Sequence, residues 1–179
     1  MGPIGLPEAA PATCDESELI ARVRQGDPVA LGEVYRRHAS GLMGVAQRLT
    51  GSRPDAEDVV HDVFVGLPEA LERYEERGKL DAWLRRLTVR RALTELRRGR
   101  RDVALEAVTL KWADHSLDRA ALEGALRQLP DKLRVVFVLR EVEGYTHSEI
   151  AEILRIRRGT SEVRLHRAIR ALRRLLEVE

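Results

Sequence analysis

Apolar residues recur at helical spacing along most of the chain, and no stretch alternates with period two for long enough to predict a strand. The clearest helix runs from Ala56 to Leu67, where one unbroken apolar face lies opposite a row of acidic residues. Pro68 follows where the apolar face would continue, so we expect a kink or break between Gly66 and Pro68. The pattern predicts an all-α protein.

Turn signals divide the first half of this pattern into separate helices. The segment Gly26-Asp27-Pro28 ends a first helix and starts a second, with proline in the first turn. Gly51-Ser52 ends the second helix before the acidic one begins. The polar stretch from Tyr74 to Asp81 predicts a loop, after which Trp83 opens a fourth helix that ends in the arginines up to Arg101.

A helix-turn-helix is predicted near the C-terminus. Thr146 and Glu149 have capping-box spacing ahead of a short apolar run, which predicts a helix of about two turns. Residues 155–158 interrupt the pattern, and Gly159 and Thr160 then open a longer helix with a continuous apolar stripe and an arginine-rich outer face. Two helices joined by a tight turn, the second one basic, are typical of a unit whose second helix enters the DNA major groove.

Charge is segregated along the chain rather than present in excess. The net charge is only +2, although charged residues make up 34% of the sequence. From Asp55 to Glu76 there are eight acidic residues and one basic residue, and from Ala82 to Arg101 eight arginines and one acid. Such blocks favour one acidic and one basic partner surface, although neighbouring helices also pair their charges.

Several kinds of site and location are not supported. The one cysteine, Cys14, allows neither a disulfide framework nor zinc-ligand spacing, and no apolar run reaches membrane length. Residues 1–16 are rich in Pro, Gly and Ala and predict a disordered tail rather than a signal peptide, so we expect a cytoplasmic protein.

Enzyme chemistry is not indicated either. Asp58 and His61 stand three apart, as ligands do in di-iron bundles, but the second copy of that pair is missing. An acidic docking surface or a solvated helix face is the favoured interpretation. Without a nucleophile–base set or repeated ligands, we expect no enzyme activity, no metal and no cofactor.

Four segments in order carry a resemblance to a known family. They read QGDPVALGEVYRRH, DAEDVVHDVF, RGKLDAWLRRL, and LPDKLRVVFVLREVEGYTHSEIAEIL followed by GTSEVRLHRA. From about Glu18 to Leu176, the chain resembles the extracytoplasmic-function (ECF) sigma factors, which are small two-domain promoter-recognition subunits of bacterial RNA polymerase. One departure is Arg155, where the family usually has glycine. If that position needs a positive φ, arginine costs about 1 kcal/mol there.

The resemblance implies two small helical domains joined by a flexible linker. The tail of residues 1–16 precedes a region 2-like domain over residues 17–99, a linker over 100–116 and a region 4-like helix-turn-helix domain over 117–179. The seventeen linker residues span at most about 56 Å when extended. A promoter spacer of about seventeen base pairs at about 3.4 Å each has a similar length. We expect the two domains to be separable when no partner is bound.

The resemblance also implies which residues meet which partner. Core polymerase would bind Asp55, Asp58, His61 and Asp62. The −10 element would meet Arg77, Gly78, Lys79, Trp83, Arg86, Arg90 and Arg97, although Trp83 is favoured as a core anchor. The −35 element would meet Arg158, Thr160, Ser161, Glu162, Arg164, Arg167 and Arg170. Glu162 and Arg90 depart from the usual family residues, so the promoter sequence is not transferable from relatives.

The implied function is that of a sigma factor, which directs RNA polymerase core to promoters by recognising −35 duplex and melting the −10 element. Its partners would be RNA polymerase core and promoter DNA, with an anti-sigma factor as a further partner and no membrane insertion. The alternative is a stand-alone helix-turn-helix transcriptional regulator, which would leave the acidic helix without a purpose. A metal-dependent hydrolase and a helical scaffold without a DNA role are the remaining alternatives.

Overall fold

The computed structural model describes residues 16–75, 79–102 and 119–176. Every regular element in these ranges is a helix, which confirms the all-α prediction. The α-helices are α1 (Glu16–Arg24), α2 (Pro28–Thr50), α3 (Arg53–Val65), α4 (Leu67–Leu71), α5 (Leu80–Asp102), α6 (Arg119–Gln128), α7 (Asp131–Phe137), α8 (His147–Leu154) and α9 (Arg158–Leu176). A π-helix, π1 (Val138–Val142), continues directly from α7.

The predicted turns lie where the sequence places them. The Asp27 carboxylate caps α2 by accepting hydrogen bonds from the backbone N–H groups of Val29 at 2.8 Å and Ala30 at 3.3 Å. Gly51 ends α2 in the left-handed conformation at φ +75°. Ser52 caps α3, with the backbone N–H of Asp55 at 3.4 Å from its hydroxyl oxygen. The expected break at Gly66–Pro68 separates α3 from α4.

Helix α5 begins at Leu80, so the prediction that Trp83 opens it was wrong by one turn. Leu80 is 1% exposed and anchors the first turn in the core. Asp81 lies in that turn, where a negative charge is favourable, and accepts hydrogen bonds from Arg85 Nε at 2.8 Å and His38 Nδ1 at 3.3 Å. The hydrogen bond from Arg85 is the main cause of the lowered pKa of Asp81.

Helices α1 to α5 pack around an aliphatic core. Buried positions of α2, α3 and α5 form its centre, and α1 and α4 close one side. The Arg24 side chain ties α1 to the end of α4 by donating to the backbone oxygens of Leu71 at 3.0 Å and Tyr74 at 2.7 Å.

Helices α6 to α9 form the second group, which contains the predicted helix-turn-helix. The capping box is present, because the Thr146 N–H donates to Glu149 Oε2 at 2.8 Å and the Thr146 hydroxyl accepts from the Glu149 N–H at 3.2 Å. Helix α8 is eight residues long, as the predicted two turns require. Behind it, α6 and α9 share a small cluster of Ala125, Leu126, Leu129, Ala168 and Leu172.

The two groups of helices pack directly against each other, and the expectation that they separate when no partner is bound stays a prediction. Val136, Val138, Leu139 and Ile150 are each 0% exposed and belong to the same core as buried residues of α2 and α5. Helix α2 contacts both α6 and α7, so the aliphatic core continues from the first group of helices into the second. Of the predicted linker, residues 100–102 continue α5 as helix, and 103–116 lie outside the described residues.

Arg155 adopts φ +54° and ψ +49° at the end of α8, which confirms that this turn requires a left-handed residue. Among the described residues it is the one non-glycine position with positive φ. The arginine therefore carries backbone strain in the turn of the helix-turn-helix.

We expect Arg155→Gly to raise the free energy of unfolding by about 0.5–1 kcal/mol, because glycine relieves the left-handed strain. Urea unfolding followed by circular dichroism measures the change. The matched control is His166→Gly at an exposed position inside α9, which should lose about 1 kcal/mol. If both variants are destabilised equally, the turn carries no strain.

Candidate nucleic-acid interface

The outer face of α9 presents the arginines predicted to meet the −35 element. Arg167 and Arg170 are exposed, and Arg164 is half-buried. At the start of the helix, Arg158 Nε donates to Glu162 Oε1 at 2.9 Å. This ion pair offsets the charge of the carboxylate that would otherwise repel phosphate.

Ser161 does not lie on that exposed face, which corrects its assignment to DNA. Its side chain is buried at 0% exposure, and its Oγ lies 2.9 Å from Nδ1 of His147. The pair joins the start of α8 to the start of α9. Ser161 therefore fixes the angle of the helix-turn-helix, and Thr160 beside it is half-buried.

A second basic face lies on α5. Arg86, Arg90 and Arg97 are exposed along it, as the −10 assignment requires. Arg97 is already engaged, since its Nη2 donates to the backbone oxygen of Ile153 in α8 at 3.2 Å.

The residues in the first turn of α5 and directly before it divide between core and surface. Trp83 is half-buried and packs on Tyr74 with ring centroids 4.9 Å apart and planes at 52°, which favours the core-anchor interpretation. Lys79 directly precedes α5, and its backbone oxygen accepts from the Trp83 N–H at 3.0 Å. Arg77 and Gly78 lie outside the described residues.

The acidic face of α3 is only partly free. Asp55, Asp58 and His61 are exposed, as a docking surface needs. Asp62 instead forms an ion pair with Arg91 of α5, so the face is not wholly uncompensated and Asp62 also joins two helices. The pairing follows from the packing of α3 on α5, which sequence spacing does not reveal.

The described residues contain neither a cluster suited to a metal ion nor a helix suited to a membrane. Across residues 16–75, 79–102 and 119–176, no group of three or more His, Cys, Asp or Glu side chains is placed to hold a metal ion. No helix in the described part of the chain is long and apolar enough to cross a membrane.

Known proteins match the same two regions of the chain. The family model for Sigma-70 region 2 matches residues 34–102, and that for Sigma-70 region 4 matches residues 119–172. The RNA polymerase sigma factor CarQ of Myxococcus xanthus is 31% identical over 164 residues, which cover 87% of this chain and 94% of CarQ. The chain belongs to the ECF sigma factors of the sigma-70 family.

Other relatives also match over most of this chain. The RNA polymerase sigma-H factor of Pseudomonas aeruginosa is 28% identical over 181 residues, with 90% of this chain and 94% of that protein covered. The chain spans 63% of the ECF sigma factor SigE of Mycolicibacterium smegmatis, at 30% identity. The sigma factor RpoE of Bartonella quintana, solved in complex with the anti-sigma factor NepR, superposes with a TM-score of 0.58 at 26% identity, over 83% of this chain and 97% of that one.

These matches decide the function class. This sigma factor directs RNA polymerase to promoters, and sigma factors are in general non-enzymatic initiation factors. A stand-alone helix-turn-helix regulator is not favoured, because such a protein has no use for the region 2 domain that precedes the helix-turn-helix.

Sequence reasoning missed a buried arginine that joins the two regions of this sigma factor. The Arg134 side chain is 5% exposed. Its guanidinium donates to the backbone oxygens of Leu49 at 3.2 Å, Thr50 at 2.7 Å and Leu129 at 3.0 Å, and to Asp131 Oδ1 at 2.7 Å. A cation at the C-terminal carbonyls of α2 is also favoured by the helix dipole. The sequence signal was only an arginine on an otherwise apolar helix face.

Glu143 is a second buried charge between the two regions. Its side chain is 5% exposed and lies 3.9 Å from Arg48 Nη2 and 3.8 Å from Arg85 Nη1. Both distances exceed hydrogen-bond length, and Oε1 has no hydrogen-bond partner among the described residues. Burial raises the pKa of Glu143, and the two arginines offset this only in part.

We expect Glu143→Gln to stabilise the sigma factor more at pH 7.5 than at pH 5. Because folding raises the pKa of Glu143, its contribution to stability is full below the unfolded pKa and is lost as pH rises through the folded pKa. Glutamine keeps the shape and does not ionise. Urea unfolding of parent and variant at both pH values measures the difference, with Glu141→Gln at an exposed neighbouring site as control. A variant that is less stable at pH 7.5 than at pH 5, relative to the parent, contradicts the assignment.

Proposed function

We propose that this sigma factor divides promoter recognition between α9, which reads the −35 duplex, and α5, which holds the −10 element as it opens. The observation that carries the division is a pair of exposed arginine faces on separate regions of the chain. Arg167 and Arg170 on α9, and Arg86 and Arg90 on α5, make no ion pair within the described residues. Arginines that form no ion pair within the described residues are available to neutralise phosphates or to contact guanine edges.

The proposed −10 site combines α5 with the segment before it. Lys79 adds positive charge next to the arginines, and Arg77 and Gly78 belong to the assignment through the family resemblance. Extruding a base costs a few kcal/mol of unstacking, which stacking and phosphate contacts must repay. Trp83 stays with the core, and its packing on Tyr74 supports the start of α5.

The proposed polymerase contact is the exposed acidic part of α3. Asp55, Asp58 and His61 project from this helix, whose apolar positions from Ala56 to Phe64 are buried. A basic helical surface on the polymerase is the partner that this charge favours. Asp62 contributes less, because Arg91 already neutralises it.

The remaining expectations follow from the same role. We propose that the protein has no catalytic activity of its own and acts in the cytoplasm, where RNA polymerase works. An anti-sigma factor is a proposed further partner, supported by the Bartonella quintana relative, which was solved in complex with one. Region 2 is proposed to occupy residues 17–99 and the helix-turn-helix domain residues 117–179.

Run-off transcription tests the proposed function. Core RNA polymerase is combined with the purified chain on a library of random promoters, and the transcribed templates are sequenced. The proposal expects two enriched elements separated by a spacer of about seventeen base pairs, or about 58 Å of duplex. Enrichment no greater than with core enzyme alone would rule it out.

Reversing one charge on α3 tests the polymerase contact. We expect Asp58→Lys to weaken binding to core polymerase by about three- to tenfold, because an attractive charge becomes repulsive. Fluorescence anisotropy of labelled sigma factor titrated with core enzyme measures the affinity. Glu69→Lys on α4 makes the same charge change at another exposed site and should bind like the parent. Equal affinities of all three proteins would remove α3 from the interface.

Single arginines on α9 test the −35 contact. Arg167→Ala and Arg170→Ala should each either weaken all promoters alike, with a salt slope lower by about one, or lose about 1–3 kcal/mol of discrimination at one base pair. Holoenzyme binding to promoter variants at several salt concentrations separates the two. The exposed Arg127→Ala on α6 is the control. Parental behaviour of both α9 variants would show that this face does not meet DNA.

A further inference from the structure

Val163 is an apolar residue on the outward face of α9. Its side chain is 52% exposed, whereas Ala168 and Leu172, which pack α9 on its neighbours, are 0% and 4% exposed. An α-helix turns by about 100° per residue, so Val163 lies about 200° around the helix axis from the buried Ser161. Among the described residues of α9, it is the one large apolar side chain that is exposed. Val163 therefore points away from the protein and contributes little to its core.

The surface around Val163 is basic and open. Arg167 and Arg170 lie one and two helical turns further along the same face, and both are exposed. Gly159 lies one turn before Val163 on this face, and a Cβ atom there would meet nothing within 4 Å. The first two turns of the face are thus unobstructed, with Val163 at their centre and the two arginines behind it.

The position of Val163 corresponds to the part of a recognition helix that reaches the bases. In a helix-turn-helix, residues near the N-terminus of the second helix contact base edges in the major groove, while arginine side chains also contact the phosphates. A valine side chain neither donates nor accepts a hydrogen bond, so it cannot read the polar groups of the groove. The apolar group that base pairs present there is the C5-methyl group of thymine. Thymine is therefore the base that an exposed valine at this point favours.

We propose that Val163 reads a thymine of the −35 element by packing on its C5-methyl group, and that Arg167 and Arg170 hold the helix in the groove beside it. The inference rests on the proposed function for its setting, which is the contact of α9 with the −35 duplex. It adds the residue that determines specificity at one base pair and the base that this residue selects. Burial of one methyl-sized group is expected to favour thymine over the same base without the methyl by about three- to fivefold.

Replacing thymine by deoxyuridine tests the contact on the unaltered protein, because the two bases differ only by the C5-methyl group. Holoenzyme formed from core polymerase and the full chain is bound to a labelled promoter duplex selected from the random library. Each thymine of the −35 element is replaced in turn, on either strand, and the affinity is measured by fluorescence anisotropy. We expect replacement of at least one thymine to weaken binding by about three- to fivefold, whereas replacement of a thymine in the spacer should have no effect.

Val163→Ala then shows whether Val163 makes the contact. The variant should bind the thymine duplex about three- to fivefold more weakly than the parent and should no longer distinguish thymine from uracil at that position. Circular dichroism checks that it folds like the parent, as an exposed site allows. Val29→Ala makes the same change at a 67% exposed site in α2 and should keep the parental discrimination. Uracil that the parent tolerates at every −35 position, or equal discrimination by the parent and Val163→Ala, would overturn the proposal.

The outcomes also separate this inference from the proposed function. An enriched −35 element that contains no thymine, or whose thymines the parent binds no better than uracil, removes the role of Val163 and retains the promoter role. A library in which no −35 element is enriched removes the proposed function and this inference with it.

Discussion

The buried guanidinium of Arg134 is the contact on which the arrangement of the two regions depends. Four acceptors, three of them main-chain oxygens, surround one charge, and they come from both sides of the boundary. A lysine could not satisfy that set, because its donors do not form a planar fork. Gly51 contributes to the same contact, because it ends α2 in a left-handed turn and its lack of a side chain leaves room for the guanidinium. The end of α2 and the start of α7 are far apart in the sequence and are thus held together by the hydrogen bonds of one guanidinium.

Much of the fold was predictable because local signals decide it. The Asp27-Pro28 segment and the Thr146–Glu149 box mark helix starts through hydrogen bonds within one turn, and both were confirmed. The start of α5 was misplaced because Leu80 and Asp81 begin the helix through a core contact and a bond to His38, which no local pattern shows. The left-handed conformation of Arg155 was anticipated because the family usually has glycine at that position. Helix propensity alone would not have indicated it.

The exposure of many candidate site residues could be predicted from the sequence. The prediction failed for side chains that bond to a neighbouring helix. Exposed arginines on α5 and α9 follow from helical phase, so their faces could be assigned from the sequence. Ser161 was assigned to the same face as the arginines of α9, but its hydroxyl lies within hydrogen-bonding distance of His147. Asp62 forms an ion pair with Arg91. Both contacts depend on how two helices cross, which the sequence pattern of one helix does not show. Arg134 and Glu143 were overlooked for the same reason. A charged residue in a helical pattern is expected at the surface, and only the packing of a second element makes it internal.

The π-helix π1 sets the angular relation between α7 and everything that follows it. Five residues, Val138–Val142, close wider turns than an α-helix, so one residue more is accommodated before the chain reaches Glu143. The wider turn absorbs this extra residue, so the chain beyond π1 keeps nearly the phase of a continuous α-helix. Losing one residue here would restore α-helical hydrogen bonding and leave Glu143 facing Arg48 and Arg85, whereas losing one residue within α7 would rotate the following chain by about 100° about the helix axis. The segment is therefore a point at which the chain tolerates a change in length without turning the helix-turn-helix away from α5.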